Sequence, residues 1–65
     1  MQSTSMAEHA EKFLKLLSQD PDRTRSLERY YVKVAFKHGV TVQRIAELST
    51  IPLERVQILL TERDE

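Results

Sequence analysis

Sixty-five residues with ten basic and ten acidic side chains make one small domain of zero net charge, without cysteine. Such a chain buries only roughly 60% of its unfolded surface, and without cysteine neither disulfides nor thiolate zinc sites can stabilise it, so self-association is the natural way to bury more. The zero balance removes the simplest argument for nucleic-acid binding, an overall basic chain, and leaves the question to how the charge is distributed. No segment approaches the roughly 20 apolar residues of a membrane span. The first residues lack the basic-then-apolar pattern of a signal peptide, and the expected location is the cytoplasm.

One glycine and two prolines leave long uninterrupted stretches for helix, and the expected fold class is all-α, a small bundle of about four helices. Residues 1–4 are polar and unpatterned and are expected to be disordered, the domain spanning 5–62 and an acidic end fraying over 63–65. Ser5-Met6-Ala7-Glu8 has the form of a capping box, in which the serine oxygen and the glutamate carboxylate each accept from a free backbone N–H. Met6, Ala10, Phe13, Leu14 and Leu17 then recur at helical spacing, with Glu8, Glu11, Lys12 and Lys15 on the far side, which predicts a first helix to about Ser18.

Pro21 breaks the pattern, and Asp20 or Asp22 is the expected cap of the second helix. Leu27, Tyr30, Tyr31, Val34, Ala35 and His38 form its predicted apolar arc. Gly39 suits a left-handed C-cap and Val40 its hydrophobic contact. Val32 and Phe36 fall off the arc and, with Ile58 further on, are candidates for a homodimer or partner interface. The tyrosines are expected at the core or its edge, and His38 as a packing or capping residue.

Thr41 is a good N-cap for a third helix carrying Val42, Ile45, Ala46 and Leu48. After a tight break at Ser49-Thr50-Ile51, Pro52 suits the first position of a fourth helix, because its missing N–H would be unpaired there anyway. Val56, Leu59 and Leu60 give that helix an inward face. The expected core is Phe13, Leu17, Leu27, Tyr31, Val34, Ile45, Ala46, Val56 and Leu59.

From Thr41 to about Leu60, with Leu27 to Val40 as a supporting helix, the chain resembles the helix-turn-helix superfamily of DNA-binding proteins. Ile45 followed by the small Ala46, then Ile51 after the turn and Val56 and Leu59 in the next helix, match its apolar pattern. Two positions depart from it. Thr50 stands where the family has glycine, and a β-branched residue tolerates positive φ poorly, so a turn of different conformation or one residue longer is expected. Pro52 stands where the family has a hydroxyl cap.

The resemblance implies that the fourth helix lies in the DNA major groove, presenting Leu53, Glu54, Gln57, Ile58 and Thr61 to base edges. Gln57 is chemically suited to adenine, Glu54 to the cytosine amino group and Ile58 to the thymine methyl. Phosphate contacts are expected from Arg25, Arg29, Lys33 and Lys37, which recur every four residues along the second helix, and from Thr41 and Arg44. Residues 22–39 hold five basic and two acidic side chains, residues 40–65 three and five. Zero net charge, the acidic end and the weakly basic recognition helix favour the alternative, an adaptor that binds another protein through Leu53, Glu54 and Ile58. Enzymatic function is not expected: there is no cysteine nucleophile, glycine-rich phosphate loop or convergent carboxylate set, and His9 and His38 are too far apart for a metal site. No cofactor is implied.

Overall fold

A computed structural model describes residues 5–63. The loose ends expected at residues 1–4 and 64–65 lie outside the described residues. Four helices follow in order: α1 (Met6–Ser18), α2 (Arg25–Lys37), α3 (Val42–Ser49) and α4 (Leu53–Thr61). They form one all-helical bundle in which α1 packs on α2 and α3, and α4 packs on α2 and α3. No helix among the described residues is long and apolar enough to cross a membrane.

The helix boundaries follow from local chemistry. The Glu8 N–H donates to Ser5 Oγ at 3.1 Å, capping α1. The cap of α2 is Thr24, whose Oγ1 accepts from the Leu27 N–H at 3.2 Å, and not Asp20 or Asp22. Asp20 instead folds the loop, its Oδ1 accepting from the Asp22 N–H at 2.9 Å, which spends that carboxylate two residues too early. α2 ends as expected at Gly39, with φ at 96°. The Gly39 N–H donates to the Phe36 carbonyl and the Val40 N–H to that of Ala35, the paired bonds of a Schellman motif, and Val40 is buried beneath it. Thr41 Oγ1 accepts from the Arg44 N–H and caps α3.

The core comprises Ala10, Leu14 and Leu17 of α1, Val32 and Ala35 of α2, Val40, Ile45, Ile51, and Val56 and Leu59 of α4. Expectation and structure part company on α2. Its buried residues are Glu28, Val32 and Ala35, one residue further along than the predicted arc, so the helix is turned by about 100°. Val32, expected at an interface, is fully buried, while Leu27 and Tyr30 are exposed and Tyr31 and Val34 half-buried. Phe13 is also 50% exposed, because it leaves the α1 core stripe to stack on Tyr31 at a centroid distance of 5.9 Å. Ala46 is half-buried.

The reason for the rotation is Glu28. Its carboxylate is buried and held from both sides, by Arg23 Nε at 3.1 Å and Arg55 Nη2 at 2.7 Å. Arg23 also donates from Nη1 to the carbonyls of Leu17 and Ser49, each at 3.3 Å. The network therefore ties the ends of α1 and α3 to α2, and α2 to α4. Ser49, also buried, donates from Oγ to the Ile45 carbonyl and accepts from the Ile51 N–H.

Arg23→Met and Arg55→Met should each cost about 1–2 kcal/mol, since one arginine still faces the carboxylate. The double variant strands a buried charge and should cost about 3–5 kcal/mol, more than the sum. Urea denaturation followed by circular dichroism measures both. Additivity would mean that the two arginines act independently.

Candidate nucleic-acid interface

The connection between α3 and α4 is three residues long, Thr50, Ile51 and Pro52. Thr50 itself takes the left-handed conformation, φ 61° and ψ 18°, so the turn expected to differ or lengthen keeps the glycine-like geometry despite the β-branch. Its Oγ1 donates to the Ser49 carbonyl at 2.5 Å, and the next residue, Ile51, is 2% exposed. Burying Ile51 holds Thr50 in a conformation that it would otherwise avoid. Pro52 precedes α4 as its N-cap, φ −56° and ψ 144°, and is not its first helical residue. Its carbonyl accepts from the Val56 N–H at 3.0 Å, and no side chain caps the helix.

α4 is anchored on one side and open on the other. Val56 and Leu59 are fully buried, and Arg55 reaches across to Glu28. Leu53, Glu54, Gln57, Ile58 and Thr61, the five residues expected to meet base edges, are all exposed. The Thr61 hydroxyl donates to the carbonyl of Ile58 within the same helix. The arrangement presents amide, carboxylate and apolar groups together on a rigid rod.

The basic stripe of α2 is placed differently from expectation. Glu62, just past α4, lies over it: its carboxylate accepts from Arg25 and, at 3.3 Å, from Arg29. Its backbone carbonyl accepts from Lys33 Nζ. Hydrogen bonding to Arg25 is the main reason the Glu62 carboxyl is held below the ordinary carboxylate range, against a smaller opposing effect of burial. The same hydrogen bond raises the Arg25 guanidinium above its usual value. Since the Glu62 value is depressed, the clamp is intact at neutral pH and is lost as pH falls through that lowered value. Lys37 is exposed at the far end of the stripe. Arg44 on α3 is exposed as well, 3.5 Å from both Glu11 and Glu47, and the Thr41 hydroxyl caps its own helix.

Sequence reasoning missed Arg23, Arg55 and Glu62 as organisers of this surface. A signal existed for Glu62, which follows the last inward residues of α4, but nothing in its spacing names the stripe as its partner. Of the expected interface residues, Phe36 and Ile58 are half exposed. Among the described residues no group of histidines and carboxylates is gathered that could hold a metal ion. No protein-family model matches the chain, and no curated protein or solved structure matches it.

Thr50→Gly relieves the left-handed strain of about 1–2 kcal/mol but adds glycine's unfolded-state freedom. The expected net gain of about 0.5–1 kcal/mol should raise the melting temperature by roughly 2–8 °C. A lower melting temperature would show that the hydroxyl bond to Ser49 outweighs the strain.

Proposed function

We propose that this chain is a small DNA-binding domain of helix-turn-helix type, acting in transcriptional regulation, with α4 as the helix that enters the major groove. The observation that carries this reading is the outer face of α4: five side chains able to meet base edges, all exposed, on a helix fixed by Val56, Leu59 and the Arg55–Glu28 pair. Gln57 would specify adenine by a paired hydrogen bond, Glu54 would accept from the cytosine amino group, and Leu53 and Ile58 would contact thymine methyls. Thr41, Arg44 and Lys37 supply phosphate contacts at neutral pH. Arg25 and Arg29 join them as phosphate displaces the Glu62 carboxylate, and Lys33 as it exchanges the Glu62 backbone carbonyl for phosphate.

One observation favours a second reading, an adaptor that binds protein through Leu53, Glu54 and Ile58. Glu62 already occupies three of the four cations of the α2 stripe, which lowers the local positive potential that draws DNA in.

Titration of a fluorescent random duplex at several salt concentrations separates the two. Under the DNA reading, Glu62→Gln should tighten binding and steepen its salt dependence, because cations return to the phosphate-facing surface. Gln57→Ala should relax preference at one base pair of a selected site, at a cost of about 1–3 kcal/mol. Absence of duplex binding at low salt with tens of micromolar protein would sink this reading in favour of the adaptor.

A further inference from the structure

The rotation of α2 leaves an apolar face on the side of the hairpin formed by α1 and α2. Along α1 it carries Met6, Phe13 and Leu16, and along α2 Leu27, Tyr30 and Val34; all but the half-buried Val34 are substantially exposed. Roughly half of the ~200 Å² that an aromatic side chain offers is open at each of Phe13 and Tyr30, and Met6, Leu16 and Leu27 bring the total to about 400 Å². A patch of that size matches the largest that an ordinary monomer exposes, which is often functional, and here it belongs to a chain of only 65 residues.

The spacing of these residues says what shape covers them. The face runs through positions 6, 9, 13 and 16 of α1 and 27, 30, 34 and 37 of α2, all exposed except the half-buried Val34, an alternation of three and four residues on both helices. That is the seam by which one helix packs along another at a shallow angle. A groove of about 310 Å³ runs between the two seams, lined by Met6, Ala10, Phe13, Tyr30, Tyr31 and Val34. Two 13-residue helices make a face about 20 Å long and two helices wide, half of a four-helix bundle.

Charge selects the occupant and its direction. At one end the face is bordered by Lys33 and Lys37. At the other it is bordered by Asp20, with Asp22 in the same loop. A second copy related by a two-fold axis across the helices sets the lysine end of each copy over the aspartate end of the other, whereas parallel docking sets like charges together. Polarity along the face is therefore self-complementary, as an isologous interface requires.

We propose that the chain forms an antiparallel homodimer through this α1–α2 face, a four-helix bundle centred on Phe13 and Tyr30, and not through Phe36 and Ile58. α4 packs on another side of α2, through Glu28 and Glu62, so both outer faces of α4 remain open in the dimer. The proposal is independent of DNA binding.

Sedimentation of the full chain from micromolar to several hundred micromolar concentration tests it. The wild type should pass from monomer to dimer, with a melting temperature that rises with concentration. Tyr30→Glu and Leu16→Lys lie on the exposed surface and should keep helical circular dichroism while weakening the dimer at least about tenfold. Phe36→Glu and Ile58→Glu should leave the dimer unchanged. Lys37→Glu should weaken association and Lys37→Glu with Asp20→Lys should restore it, since the two meet across the axis. A wild type that stays monomeric at several hundred micromolar overturns the proposal, as does a dimer sensitive to Phe36→Glu or Ile58→Glu but not to Tyr30→Glu and Leu16→Lys.

Discussion

A carboxylate buried in the middle of a small apolar bundle is held in place by two arginines, and the rest of the architecture depends on that triad. Glu28 sits on the inward face of α2 between Arg23 and Arg55. Arg23 spends its remaining N–H groups on the last turns of α1 and α3, where helix carbonyls have no intrahelical partner. All four helices thus meet at one hydrogen-bonded centre. Such a group contributes little net stability compared with apolar packing of the same volume. Its effect is to make alternative packings unfavourable. Turning α2 by one residue would bury Leu27 and Tyr30 and pull the carboxylate away from both arginines.

That alternative is the one a count of apolar residues selects, which explains where sequence reading ends on α2. Leu27, Tyr30, Tyr31 and Val34 outnumber Val32 and Ala35 as apolar candidates, and a periodicity argument discards Glu28 as a surface residue. Charge pairing across 27 residues of chain, from Glu28 to Arg55, has no local signature. Features governed by near neighbours were legible. The Ser5 and Thr41 caps, the Gly39–Val40 ending of α2 and the inward Val56 and Leu59 all depend on contacts within one or two turns. The outward residues of α4 were equally legible, since an anchored amphipathic helix leaves its opposite face exposed. The partner of the basic stripe was not, because Glu62 lies 37 residues from Arg25.

The turn between α3 and α4 shows tertiary packing overriding a local preference. Thr50 is a poor residue for a left-handed backbone, yet the buried Ile51 side chain and the bond from Ile51 N–H to Ser49 Oγ leave no other path for the chain. The cost is local and the benefit is distributed, because the crossing of α3 and α4 determines which side of α4 faces outward. Pro52 contributes by limiting the backbone at the point of entry, at the expense of a side-chain cap.

The two charged assemblies answer to different solvents. In the Glu28 triad the carboxylate itself is buried, so dissolved ions weaken it less than a surface pair, although Arg55 reaches it from a partly exposed position. The Glu62 cluster faces water with Arg25 more than half exposed, and counterions compete with it directly. Raising salt therefore loosens the Glu62 end of α4 before the Glu28 centre of the bundle. The molecule is in that sense built from a rigid body and an ion-responsive end, and its hydrogen exchange in concentrated salt would divide along that line.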